Sequence, residues 1–167
     1  MNQPQSTRAL CRQVAQLLQA RGLLLTTAES CTGGLIAAAC TDLAGSSVWF
    51  ERGFVTYSNA AKTELLGVDA AQIHTEGAVS QAVAKAMAQG ALRHSQAQVA
   101  LAVTGVAGPS GGSAEKPIGT VWLAWTTPAG TRSMHCRFPG NRAAVRKATV
   151  HCALEQLVLL LQALPAR

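Results

Sequence analysis

The chain has 167 residues, 49% of them apolar and 13% charged, with 14 Lys and Arg against 8 Asp and Glu for a formal charge of +6. That length can bury a core without metal or disulfide staples, and that apolar content excludes a disordered chain. The positive balance admits nucleic acid, a membrane surface or a small anionic ligand, but the few aromatics are not interleaved with the scattered basic residues as a single-strand stacking platform requires, so nucleic acid is not the expected partner.

Apolar residues at helical spacing (Leu10, Val14, Leu17, Leu18) predict a helix from about Thr7 to Ala20, stopped by Gly22. Leu23 to Thr27 reads as a short strand running into Ala28-Glu29-Ser30-Cys31-Thr32-Gly33-Gly34 and a small-residue helix from Leu35 to Cys40. Val48 to Tyr57 reads as a strand with Phe50 and Phe54 on one face. A helix follows from Ala60, another begins near Ala70, and Ser80 caps a longer one ending near His94. Val99 to Val103 is a buried strand that ends at Thr104-Gly105, and Gly105 to Pro117 is a loop rich in Gly, Pro and Ser. Ile118 to Thr127 and Arg132 to Phe138 form a hairpin around Pro128-Ala129-Gly130. Asn141 caps a last helix whose apolar positions are Val145, Ala148, Cys152, Leu157, Leu160, Leu161 and Leu164. Alternating strands and helices followed by a hairpin predict an α/β fold, a mixed sheet covered by helices on both faces.

Five cysteines with no C-x-x-C pair predict free, mostly buried thiols in a reducing compartment. The polar start, Met1 to Arg12, carries no apolar signal core. The longest apolar stretch, Leu157 to Leu164, is too short to span a bilayer. The expectation is a cytoplasmic protein that does not use a membrane. No metal-ligand spacing occurs, the four histidines are isolated, and no carboxylate pair has acid–base spacing, so no cofactor is expected.

Three segments carry candidate chemistry. Ser30 stands where an apolar strand breaks into a glycine-rich helix start. There the first helical N–H groups, near Thr32 and Gly33, can receive an oxyanion. The same pattern describes an anion-binding turn or a capping serine, and Cys31 is a rival nucleophile without an adjacent group to hold it as thiolate. Glu29, next to Ser30, reads as a salt-bridge partner, with a polar group supporting the Ser30 turn as the alternative.

Lys62 follows the Ser58 or Asn59 cap within the first helical turn. Positive charge is disfavoured there, and a desolvated lysine has a lowered pKa. A neutral lysine can deprotonate a serine, with Tyr57 orienting it or relaying a proton; the alternative is a solvated lysine beside a core tyrosine. The loop Thr104-Gly105-Val106-Ala107-Gly108-Pro109 follows a strand and can converge amides on an anion, or it is a plain crossover. Arg142 and Arg146, one turn apart at the start of the last helix, oppose its dipole unless a phosphate sits nearby; solvated arginines are the alternative.

Taken together, several ordered segments resemble the CinA C-terminal domain family. They are Thr27 to Gly34, Gly53 to Asn59 with Lys62, Gly77 to Ser80, and Thr104 to Pro109 with Lys116 to Val121, and the resemblance runs from about Thr7 to Leu161. It implies a three-layer α/β/α sandwich as a single domain. It also implies a metal-free Ser-Lys hydrolase that converts nicotinamide mononucleotide to nicotinate mononucleotide and ammonia. By matching position, Ser30 is the nucleophile, Lys62 the base, and Tyr57 and Thr104 supporting residues. Cys31, Thr32, Gly33, Gly105 and Gly108 are expected around the substrate, with Arg142 or Arg146 on its phosphate. The partners expected are a small nucleotide substrate and further copies of the chain.

Overall fold

A computed structural model describes residues 5–165. In chain order the elements are α1 (Thr7–Gln19), β1 (Leu25–Glu29), α2 (Leu35–Thr41), a 3-10 turn (Ser46–Val48), β2 (Phe50–Val55), α3 (Asn59–Leu66), α4 (Ala70–Glu76), α5 (Gln81–Arg93), β3 (Val99–Gly105), β4 (Thr120–Thr127), β5 (Gly130–Arg137) and α6 (Arg142–Gln162). The caps follow from residue type. Ser6, Ser58, Ser80 and Asn141 each accept a hydrogen bond from a backbone amide of the helix they precede, which satisfies one of the donors a helix start leaves open.

The five strands lie in the order β2-β1-β3-β4-β5. β1 is parallel to both β2 and β3, while β3, β4 and β5 run antiparallel, so the sheet is mixed and helix layers cover both faces. The pleat sorts side chains by size. Val99, Leu101 and Val103 of β3 and Val121, Leu123 and Trp125 of β4 face α1, α2 and α6. Ala100, Ala102 and Ala124 face the opposite way, against α5 and its Ala84, Ala88 and Ala91. Each buried Leu or Val contributes about 1.5–3 kcal/mol, so the first face carries most of the hydrophobic stabilisation and the second trades bulk for close approach. The Trp125 indole N–H also ties the sheet to α6, donating to the Ala153 carbonyl at 3.0 Å.

Three sequence expectations shift. The β1 ladder begins at Leu25 rather than Leu23, because the Leu23 amide closes the end of α1 on the Leu18 carbonyl and the Leu24 amide goes to the Gln98 side chain. Phe50 and Phe54 lie on opposite faces: the register slips between Leu25 and Thr26, leaving Glu51 as an extra residue, and one inserted residue inverts the alternation. On α6 the buried stripe runs through Val145, Thr149 and Ala153, and Ala148 and Cys152 flank it half-buried. Thr149 can take a core position because its hydroxyl donates to the Val145 carbonyl at 2.8 Å.

The chain leaves β1 through α2 on one face and leaves β2 through α3, α4 and α5 on the other. β1 is therefore where the winding reverses, and the carboxyl ends of β1, β2 and β3 open a crevice of the kind that collects ligands in α/β sheets.

Candidate active site

A cavity of about 200 Å³ sits at that crevice. Ser30 and Cys31 enter it from the end of β1, Tyr57 from the end of β2, Lys62 from α3, Thr104 and Gly105 from the end of β3, and Arg142 from α6. Asn59, Ala78, Val79 and Ala107 also line it. None of those four was expected as a site residue, although each lies in a segment quoted there: Asn59 in Gly53 to Asn59, Ala78 and Val79 in Gly77 to Ser80, and Ala107 in Thr104 to Pro109. The Gly77 to Ser80 segment is held in place through hydroxyls, since Thr104 donates to the Ala78 carbonyl at 2.9 Å and Ser80 donates to the Gly77 carbonyl at 2.8 Å.

Lys62 is 1% exposed and Ser30 8% exposed. A helical side chain leans toward the amino end of its helix, which carries the Lys62 amine back over the start of α3 to within 3.0 Å of Ser30 Oγ. Its other neighbours are the carbonyl oxygens of Thr56 at 3.0 Å and Tyr57 at 3.5 Å. Burial pulls the Lys62 pKa below its ordinary value, with Cys31 the one opposing influence. The three contacts define what each protonation state does. An ammonium has three N–H donors for three oxygens. A neutral amine has two, the carbonyls can only accept, and its lone pair is left for the Ser30 hydroxyl, which must then donate to it.

The Cys31 thiol is buried beside Ser30, and burial raises its pKa to about 11. It is a protonated thiol near neutral pH and a poor rival nucleophile.

The turn after β1 departs from expectation. Glu29, 1% exposed, forms no salt bridge among the described residues. Its carboxylate accepts from the Thr32 hydroxyl at 2.7 Å and from the Ile36 and Ala37 amides at 2.8 and 3.0 Å. It serves as the cap of α2, whose cap position is Gly34 and has no side chain to offer. The first amides of α2 are thus occupied. The Gly33 amide is occupied too, closing the turn on the Ser30 carbonyl at 3.0 Å. The Cys31, Thr32 and Gly34 amides have no backbone acceptor among the described residues.

Thr32, Gly33, Gly108 and Arg146 do not line the cavity. Thr32 is buried on Glu29, and the Gly108 carbonyl accepts from the Arg142 guanidinium at 2.8 Å. Arg146 is turned onto the backbone, its Nε donating to the Cys31 carbonyl and a terminal nitrogen to the Thr32 carbonyl, both at 3.1 Å. Arg142 alone of the two arginines reaches the cavity rim, where it also donates to the Tyr57 hydroxyl at 2.9 Å. Tyr57 therefore meets Lys62 through its backbone and Arg142 through its phenol.

Among the described residues no group of three or more His, Cys, Asp or Glu is placed to hold a metal ion, and no helix is long and apolar enough to cross a membrane.

The model of the CinA C-terminal domain matches residues 7–161. Over 151 residues the chain is 53% identical to the nicotinamide-nucleotide amidohydrolase PncC of Escherichia coli K12, covering 89% of this chain and 90% of that protein. The PncC of Pseudomonas putida is 52% identical over 151 residues, with 90% and 94% covered. A CinA-like protein of Geobacter sulfurreducens is 54% identical over 144 residues, which span 86% of this chain and 35% of that longer protein. Among solved structures, the competence damage-inducible protein A of Klebsiella pneumoniae superposes with a TM-score of 0.93 at 40% identity, over 96% of this chain and all of that one (100%). The competence/damage inducible protein of Agrobacterium tumefaciens gives 0.90 at 48% identity, over 96% and 99%. With a match running almost end to end in sequence and in fold, the chain belongs to the CinA C-terminal domain family.

Proposed function

We propose that this protein hydrolyses the carboxamide of nicotinamide mononucleotide to nicotinate mononucleotide and ammonia, with Ser30 as nucleophile and Lys62 as base. The observation that carries the reading is the buried Lys62 amine 3.0 Å from the Ser30 hydroxyl. The PncC relatives, named as nicotinamide-nucleotide amidohydrolases, supply the substrate class. A cavity of about 200 Å³ is smaller than the roughly 300–1,000 Å³ usual for whole ligands. It suits the reacting carboxamide end, with the ribose and phosphate leaving past the rim at Tyr57 and Arg142.

Neutral Lys62 takes the Ser30 proton as Oγ bonds to the carboxamide carbon, and the carbonyl π pair moves onto oxygen. That oxyanion falls to the Cys31 amide, the open amide of the turn whose residue lines the cavity. The Lys62 ammonium gives its proton to the leaving nitrogen, the C–N bond breaks and ammonia departs. Water then loses a proton to Lys62 and adds to the acyl carbon. The C–Oγ bond breaks, and the proton returns from Lys62 to Ser30.

The deciding experiment follows ammonia release from nicotinamide mononucleotide with wild type beside Ser30→Ala. Release by the wild type alone supports the reading. Release by both variants removes Ser30 as nucleophile. Tight nucleotide binding without release by either makes the domain a binding module instead.

A further inference from the structure

We infer that Thr104 is the residue that selects for the amide: its hydroxyl accepts a hydrogen bond from the substrate carboxamide N–H. The inference deepens the amidohydrolase reading above and rests on it. Sheet register places Thr104 beside the nucleophile. Glu29 of β1 pairs with Val103 of β3, and the ladder runs one step further, because the Ser30 amide donates to the Val103 carbonyl at 3.1 Å. Ser30 and Thr104 are therefore lateral neighbours on strands about 4.8 Å apart. Ala28 and Ala102 pack on the α5 face of the sheet, and side chains two positions on share that face, so Ser30 and Thr104 project the same way. Thr56, one step past the paired Glu29 and Val55, flanks Ser30 on its other side. Of these two threonines only Thr104 lines the cavity. Lys62 reaches Ser30 from the β2 side, over the Thr56 and Tyr57 carbonyls, which leaves the β3 side of the nucleophile to Thr104.

The count of hydrogens sets what that hydroxyl can do. A threonine hydroxyl has one proton to donate and two lone pairs that accept. Thr104 is buried, and its proton is committed to the Ala78 carbonyl at 2.9 Å. No backbone amide donates to that carbonyl among the described residues, so turning the hydroxyl away would leave the carbonyl without its protein partner, at a cost. Thr104 is thereby held as an acceptor toward the cavity. Acceptors are scarce there: Lys62 and Arg142 bring N–H donors, and no Asp or Glu is among the lining residues.

A carboxamide supplies one carbonyl oxygen and two N–H donors. With its oxygen at the Cys31 amide, its nitrogen can donate to Thr104. A carboxylate has no such donor and meets only lone pairs at Thr104, so the acid product is disfavoured where the amide substrate is held. Gripping the nitrogen through an N–H also leaves its lone pair, localised once the carbon becomes tetrahedral, for the Lys62 proton.

The test compares nicotinamide mononucleotide with the methyl ester of nicotinate mononucleotide, which keeps the carbonyl and lacks the N–H. Formation of nicotinate mononucleotide is followed for both in the full chain. Thr104→Val replaces the hydroxyl with a methyl of similar size. Its kcat/KM should fall roughly 10- to 100-fold for the amide and stay within about threefold of wild type for the ester. Thr104→Ser restores the acceptor and should bring the ester-to-amide ratio back to within about threefold of wild type. Should Thr104→Val fail to fold, Thr104→Ala is read in the same way.

An equal fall for amide and ester would make Thr104 a structural residue and overturns the inference. So does an unchanged kcat/KM for the amide in Thr104→Val, or a Thr104→Ser variant that discriminates no better than Thr104→Val. A wild type that does not hydrolyse nicotinamide mononucleotide overturns the parent reading and this inference with it. An active wild type whose ester-to-amide ratio is unmoved by Thr104→Val overturns this inference alone.

Discussion

The Lys62 amine and the Ser30 hydroxyl meet at 3.0 Å across 32 positions of sequence, and the Thr56 carbonyl holds the same amine from the other side at 3.0 Å. Only the neutral amine can accept the serine proton, and burial lowers the pH at which that form appears. kcat/KM should therefore rise with pH through a single ionisation lying below the ordinary lysine value of 10.5 and then level. Lys62→Met should lower kcat far more than it raises KM. A pH profile that falls through this range, or a pure KM effect, contradicts the role of base.

The same group makes a stability statement. The unfolded chain keeps its Lys62 proton up to 10.5, while the folded chain releases it at lower pH. Between those two values the unfolded state binds more protons, so stability rises with pH there. The cost of burying the ammonium is fully present below the folded pKa and gone above 10.5. Urea denaturation of wild type and Lys62→Met across this window should show the wild type gaining on the variant as pH rises. A constant difference would mean that Lys62 titrates normally.

Much of this site could be read from residue types, because local rules govern those parts. Ser58 and Asn59 announce a helix start, and a helix start places Lys62 where its side chain folds back over the end of β2. The rest is set by contacts no local pattern displays. Glu29 looks like a salt-bridge partner until α2 is seen to start at a glycine that cannot cap it, with two amides within reach of the carboxylate. Arg146 looks like an anion ligand until α6 is docked 115 positions away, against the Cys31 carbonyl. Phe50 and Phe54 obey period two only on an unbroken strand, and the extra residue at Glu51 shows itself only in pairing with β1.

Cys31 offers a control on the identity of the nucleophile. With its pKa raised to about 11 by burial, the thiol should react slowly with iodoacetamide at pH 8, and faster as pH climbs toward that value. Cys31→Ala should retain activity within about an order of magnitude, since it keeps the backbone amide and loses only packing around Gly105. Complete loss of turnover in a folded Cys31→Ala protein would move the nucleophile from Ser30 to Cys31.

On the proposed reading, Arg142 meets the substrate phosphate at the cavity rim. Its guanidinium spans the Gly108 carbonyl and the Tyr57 hydroxyl at the cavity rim. A charge-assisted hydrogen bond is worth about 1.5–3 kcal/mol, or roughly 10- to 100-fold in affinity. Arg142→Ala should weaken binding of nicotinamide mononucleotide by that factor and leave the phosphate-free riboside nearly unaffected. Tyr57→Phe removes one tether of Arg142 and none of the Lys62 contacts, so it should move KM with little change in kcat. Equal losses for nucleotide and riboside in Arg142→Ala would remove the phosphate role.

Gly90 tests whether the small-residue face of the sheet holds the lysine in place. It lies in α5 where a Cβ would run into the Leu66 carbonyl, backbone of the last turn of α3, with no flexible side chain able to yield. Gly-to-Ala in an open helix would be favourable by about 1 kcal/mol, so propensity alone predicts stabilisation. Overpacking against rigid backbone costs about 1–3 kcal/mol or more and wins. Gly90→Ala should lower the unfolding free energy by a net of up to about 2 kcal/mol or more, and the urea midpoint with it. Because α3 must retreat to make room, kcat should fall with it as Lys62 withdraws from Ser30. A variant as stable and as active as wild type would show that α3 and α5 are free to separate without disturbing the Ser30–Lys62 pair.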